Sequence, residues 1–261
     1  GFFLYNESHL IVYIFNETKS MKIATNSGIV LGKLDKDIYS FKGIPYAEPP
    51  VGKNRWLPTK PITPWSEIKD CTEYGPISPQ NEAVYENEAT SEITQSLSNQ
   101  SEDCLSLNIW TPEIEDAKRP VMVWIHGGAW WMGSGNEDLL NPDNICRNKE
   151  FVVVSINYRL ACFGFLRLTD ITEGKIDSTG CEALLDQIEA LKWIKKNIQF
   201  FGGDENNISV IGQLKLHDIA DLKEKVFDNM EGGLTMHGMN FVMKPGVTPS
   251  DEFWAWADDA G

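Results

Sequence analysis

The segment best suited to chemistry is His126-Gly-Gly-Ala129, directly after the apolar run Val121–Ile125. Its small residues let the backbone approach a ligand closely. Peptide N–H groups in such a turn can stabilise the oxyanion of a tetrahedral acyl intermediate. The same residues also suit a tight glycine-rich turn with no chemical role. Only four histidines are available to carry protons: His9, His126, His217 and His237. His126 belongs to the turn itself, and His217 and His237 read as solvent-exposed or helix-end residues. The five cysteines (71, 104, 146, 162 and 181) contain no C-x-x-C pair, so no structural zinc site is expected. Cys162 or Cys181 with a nearby histidine is a conceivable nucleophile, but neither lies on a sharp strand-to-helix turn. Cys162, inside Leu160-Ala-Cys-Phe163, reads as a core thiol. No metal ligand set and no cofactor are expected.

The elements that must position this turn are legible in the hydrophobic pattern. Gly28–Gly32 and Ile38–Phe41 read as a hairpin. Leu105–Trp110 alternates as a strand does. Val121–Ile125, Phe151–Ile156 and Ile208–Gly212 are continuous apolar runs, as in strands buried on both faces of a parallel sheet. Thr179 followed by Glu182 is a capping-box pattern. Leu184, Ile188, Leu191, Ile194 and Ile198 then recur at helical spacing, and Gly202-Gly203 ends the helix. Strand, loop, strand, helix, strand predicts an α/β fold with a mainly parallel sheet.

Composition narrows the function classes. The chain has 261 residues, a formal charge of −15 and 42% hydrophobic residues. It can therefore build a sizeable core, which argues against disorder. The acidity argues against nucleic acid and against an anionic membrane surface. No apolar run approaches the roughly 20 residues that span a bilayer. Residues 1–21 read as an N-terminal extension, with Met21 as the expected start of the ordinary protein. Residues 81–103 carry six acidic and no basic side chains, as a solvated loop does. After Gln213 the composition shifts. Residues 214–261 carry a net −5 and four of the seven methionines, and read as a divergent acidic tail. Within it, Ile219, Leu222, Val226 and Met230 fit one helix face. Asn-x-Ser/Thr acceptors stand at Asn6, Asn16 and Asn99, with a fourth at Asn207 where an apolar strand opens.

Five segments carry a family resemblance. They are Phe41-Lys-Gly-Ile-Pro-Tyr-Ala-Glu-Pro-Pro-Val-Gly52 with Arg55-Trp56; Ser101-Glu-Asp-Cys-Leu-Ser-Leu-Asn108; Val123-Trp-Ile-His-Gly-Gly-Ala129; Asn157-Tyr-Arg159 with Phe163-Gly-Phe-Leu166; and Leu184-Leu-Asp-Gln187 through Asn197-Ile-Gln-Phe-Phe-Gly-Gly-Asp204. Residues 22–213 resemble the N-terminal part of a type-B carboxylesterase, the family that includes the cholinesterases. The resemblance implies an α/β-hydrolase fold, here truncated, and hydrolysis of small carboxylic esters through a serine acyl-enzyme. It implies an oxyanion hole formed by the N–H groups of Gly128 and Ala129, with Gly127 supporting the turn. Trp130 and Trp131 would line the pocket mouth, or else pack in the core. Cys71 and Cys104 resemble the family's first disulfide pair, which implies an oxidising setting: secreted, extracellular or the ER lumen. Glu102 and Asp103 would pair with Arg159, or else be solvated.

The chain departs from the family at the nucleophile. A strained G-x-S-x-G elbow should follow the strand Ile208–Ile211. Gly212-Gln213 supplies its first two residues, Leu214 stands where the serine should be, and Leu216 stands where glycine should be. Leucine has no lone pair and no ionisable proton. The family's later acid and histidine are not found in residues 215–261. The expectation is therefore a catalytically dead carboxylesterase-family chain. Two alternatives stand beside it: a non-catalytic cholinesterase-like adhesion or binding protein with an unknown partner, and a truncated product without function. A sheet ended at this point would leave an unpaired strand edge.

Overall fold

The computed structural model describes residues 19–35, 37–81, 99–114, 117–136, 145–146 and 151–213, and the backbone of 233–237 and 240–244. The first strand, β1 (Lys19–Ala24), pairs antiparallel with β2 (Ile29–Asp35). Met21 thus sits inside a strand, opposite Gly32. β2 pairs antiparallel with β3 (Ile38–Pro45), which is the hairpin expected from sequence. β4 (Lys69–Asp70) is a two-residue strand beside β2. β5 (Ser106–Thr111), β6 (Arg119–Ile125), β7 (Val152–Ile156) and β8 (Gly203–Gln213) form the centre. β9 (Gly233–His237) and β10 (Asn240–Lys244) form a hairpin at one end.

The strand order is β1-β2-β3-β5-β7-β6-β8-β10-β9, with β4 off the path. The sheet is mixed. β7, β6 and β8 run parallel, and the strands on either side of these three pair antiparallel. The chain follows the pattern of its hydrophobic runs. All residues of β5 and β7 are buried, as expected of strands covered on both faces. In β6, Val121, Val123 and Ile125 are buried while Met122 and Trp124 are only half-buried.

Helix α1 (Ala161–Phe165) is short, and α2 (Glu182–Asn197) is the main helix packed on the sheet. Ala183, Ile188, Leu191 and Ile194 of α2 join the core with Val154, Ile156 and Val210. The start of α2 differs in detail from a capping box. Its N-cap is Cys181, not Thr179. The Glu182 carboxylate accepts hydrogen bonds from Thr179 N–H (2.5 Å) and Gly180 N–H (3.1 Å). Glutamate thus holds the preceding turn, and the threonine does not cap the helix. A 3-10 turn, Ile198–Phe201, follows α2 and ends at Gly202. Trp193 Nε1 donates to Ser27 Oγ (3.0 Å), which ties the end of α2 to the β1–β2 turn.

The expected open edge of β8 is partly covered. Asn240, Phe241 and Val242 pair antiparallel with Gln213, Gly212 and Ile211. A segment of the acidic tail therefore adds strands to the sheet, although the tail's pattern suggested no strand there. The expected tail helix over Ile219–Met230 lies outside the described residues. Among the described residues, no helix is long and apolar enough to cross a membrane.

Candidate active site

The sheet delivers its chemistry at the C-terminal ends of β6 and β8, which run side by side with Trp124 opposite Ile211 and Ile125 opposite Gly212. Immediately beyond β6 the chain takes an unusual path. Gly128 has φ +110°, Ala129 +52° and Trp130 +66°. L-residues rarely adopt such angles, and two of these three residues are not glycine. A β-carbon on Gly128 would lie 2.1 Å from the Met132 carbonyl oxygen, so only glycine fits there. The turn closes on itself: Trp131 N–H and Met132 N–H both donate to Gly128 O, at 3.0 and 3.2 Å. Among the described residues, the Gly128 and Ala129 N–H groups have no protein acceptor. Successive N–H groups in a left-handed run make a concave anion-binding nest.

His126 holds the base of this turn. Its ring is buried and stacks on Tyr158 with centroids 4.2 Å apart. Nδ1 lies 2.9 Å from Gly127 O. The carbonyl can only accept, so Nδ1 carries the proton. Burial pushes the imidazole pKa down to about 4, with the Gly127 bond opposing the shift. The ring is therefore neutral near pH 7, a weak base tied to the Gly127 carbonyl. Tyr158 OH donates to His126 O at 2.7 Å.

A buried polar network anchors the rest of the loop. Asn108 Nδ2 donates to Gly135 O (3.1 Å) and Ser155 Oγ (3.0 Å), and Ser155 Oγ donates to Gly135 O (2.5 Å). Gly135 N–H donates to Asn157 Oδ1 at 2.8 Å. Strands β5 and β7 thereby fix the loop in place through side chains that the hydrophobic pattern does not reveal.

Several sequence expectations are corrected. Arg159 pairs with Asp186, not with Glu102 or Asp103. Its Nε and one terminal nitrogen donate to the two Asp186 oxygens, both at 2.8 Å. Thr59 Oγ1 also donates to Asp186 (2.5 Å), and Arg159 donates to Leu57 O (2.9 Å). Arg159 stands just past β7 and Asp186 on the first turns of α2, so the two meet where helix and sheet pack. Glu102 instead takes both prongs of Arg55, nearer the surface. Asp186 lies off the Leu184–Ile188–Leu191 face at helical spacing, so the apolar periodicity does not single it out.

Cys71 and Cys104 are both buried in the main core, but they are free thiols, so the expected disulfide is absent. Burial pushes the Cys71 thiol up to about 12 and raises Cys104 as well. The expected oxidising compartment loses the support that this pair gave it. Cys162 is exposed on α1, because Gly164 and not the thiol faces the core; Cys146, like Cys71 and Cys104, is buried. Trp130 packs edge-on against Tyr158 and Phe165, at 5.6 and 5.1 Å. Trp131 is 69% exposed beside the turn. Trp130 thus packs against the core, and Trp131 faces outward. Asn99 is exposed, while Asn6, Asn16, Leu214, Leu216 and His217 lie outside the described residues.

The carboxylesterase family model matches residues 19–214. The chain belongs to the carboxylesterase family. It is 42% identical over 191 residues to the para-nitrobenzyl esterase of Bacillus subtilis (strain 168), covering 73% of this chain and 37% of that protein. It is 37% identical over 198 residues to the acetylcholinesterase of Bungarus fasciatus, covering 74% of this chain and 32% of the snake protein. Among solved structures, a Geobacillus stearothermophilus carboxylesterase superposes with a TM-score of 0.67 at 37% identity, over 77% of this chain and 39% of that one. The chain thus spans about a third to two-fifths of the length of the carboxylesterases it matches. The fold is that of the α/β-hydrolases, as the five sequence segments implied.

Proposed function

We propose that this chain carries the oxyanion-stabilising part of a carboxylic-ester hydrolase site, without turning esters over by itself. The observation that carries the reading is the turn at Gly127, Gly128 and Ala129, with its left-handed backbone and two N–H groups left without a protein acceptor. In acyl transfer such groups bind the oxygen that becomes negative as the tetrahedral intermediate forms. Removing one donor of this kind costs roughly 10²–10³ in kcat. Gly128 and Ala129 would supply two donors, and Gly127 would hold the turn through the His126 bond. The family's further donor is the N–H after the nucleophile, which here falls on Lys215. Small carboxylic esters are the substrate class this geometry suits.

The missing step is covalent. Attack on the ester carbonyl needs an oxygen or sulfur lone pair at the end of β8, and Leu214 offers none. The buried histidine of the turn is no substitute, since an imidazole is not a carbonyl nucleophile here and burial pushes its pKa down to about 4, which makes it a weak base. The chain is therefore expected to polarise an ester carbonyl without forming an acyl-enzyme. Incubation with an organophosphonate, read by intact mass, tests this alongside hydrolysis of a p-nitrophenyl ester. No mass adduct and no turnover above a heat-denatured control are expected. Stoichiometric labelling with ester turnover would overturn the reading.

A further inference from the structure

Resting on that reading of the turn, we infer that Gln80 is a positioning residue of the oxyanion turn, holding its closing residue through both backbone polar groups of that residue. Gly133 ends the turn. Its N–H donates to Gln80 Oε1 at 2.8 Å, and Gln80 Nε2 donates back to Gly133 O at 3.0 Å. A side-chain amide that meets both the N–H and the C=O of one residue restrains the two peptide planes that flank it. Gly133 has φ +102°, and a β-carbon there would stand 2.5 Å from both Gly127 O and His126 Nδ1. The clamped residue thus lies against the two atoms that set the base of the turn.

Gln80 is itself held by two further bonds. Its Nε2 also donates to Ser78 O (3.1 Å), and its N–H donates to Gln100 Oε1 (2.7 Å). Next to it, Ile77 exchanges backbone hydrogen bonds with the 99–101 segment: Ile77 N–H donates to Asn99 O and Ser101 N–H to Ile77 O, both at 3.0 Å. Ser78 Oγ accepts from Leu160 N–H at 3.0 Å, and Ala161 N–H donates to Trp130 O at 2.8 Å. Segments 77–80 and 99–101 therefore form a brace that reaches the turn through one glutamine side chain. The left-handed stretch from Gly128 to Trp130 is costly backbone, and it persists only where its surroundings over-determine it. The Gln80 clamp is the side-chain contact on its closing end that answers a donor and an acceptor together.

The test reads the turn directly in the full chain, with no ligand and no turnover. Amide exchange and 1H–15N shifts are followed at Trp131, Met132 and Gly133, with Ile125 and Val154 as core references. In Gln80→Ala, protection at the three turn amides is expected to fall by roughly five- to tenfold, the loss of about one to two hydrogen bonds, while the core references hold. Gln80→Glu adds a signature that a merely structural role would not produce. A carboxyl group both donates and accepts only when protonated, so protection normalised for intrinsic exchange is expected to return near pH 4 and be lost near pH 7. Turn amides within twofold of the parent in Gln80→Ala would overturn the inference. So would an equal loss at Ile125 and Val154 that low pH does not rescue in Gln80→Glu. Neither result depends on phosphonate labelling, so the clamp and the proposed function fail separately.

Discussion

The neutral buried histidine beside the turn has a measurable consequence. His126 titrates near 4 in the folded chain and near 6.5 when unfolded. Its contribution to stability is complete above the unfolded value. It is lost as pH falls from 6.5 toward 4, because the unfolded chain gains a proton that the folded chain refuses. The loss across that window is roughly 3 kcal/mol. Urea titrations of the parent and His126→Phe, which keeps a ring against Tyr158, measure it; parallel pH profiles would refute it. A second residue-scale prediction concerns Gly128. Alanine there meets the Met132 carbonyl oxygen at 2.1 Å and must hold φ +110°. Gly128→Ala is expected to cost about 3 kcal/mol in a urea titration. A loss under about 0.5 kcal/mol would mean that the turn relaxes without penalty.

Between elements, the Arg159–Asp186 pair joins the end of β7 to α2, with side chains only 3% and 0% exposed. Removing one partner strands a buried charge, so Asp186→Asn is expected to destabilise the chain by about 3–5 kcal/mol. Replacing both, in Arg159→Met with Asp186→Leu, is expected to cost less than the sum of the single changes. Additive costs in that cycle would show that the two residues do not act as a pair. These elements also show what hydrophobic patterning can and cannot reveal. The runs in β6, β7 and β8 and the helical spacing in α2 announce their elements, because burial on a repeating backbone leaves a repeating pattern. Asp186 falls off the Leu184–Ile188–Leu191 stripe, so that pattern does not single it out, and its partner was not legible either. Arg159 is 27 residues away in sequence, and only the packing of helix on sheet brings the two together. Asn108, Ser155 and Gln80 left no pattern at all, since each bonds to backbone of a distant segment.

On the scale of the whole molecule, the thiols offer the simplest check. Native labelling with a thiol reagent is expected to modify Cys162 first and Cys181 more slowly, with Cys71, Cys104 and Cys146 protected by burial. Unfolding without reductant should then expose all five thiols. A count of three would show that one disulfide exists after all. The acidic balance of −15 spreads over a domain whose matched part is carboxylesterase throughout. The tail adds to this part physically as well as in sequence, through β10 against the end of β8.

The sequence alone shows the family, most of the strand-forming runs, the main helix and the position of the glycine-rich turn. It also placed Leu214 after Gly212-Gln213, where a covalent mechanism would need a nucleophile. All of these are local: runs, spacings and motifs within a few residues of one another. The partners come from tertiary packing. It moved Arg159 from Glu102 to Asp186, left Cys71 and Cys104 as separate buried thiols, turned Cys162 outward and set Gln80 against Gly133. The physical reason is one of range. Hydrophobic burial writes its period into neighbouring residues. A hydrogen bond or ion pair is fixed by where two remote segments come to lie, and that depends on the packed sheet as a whole.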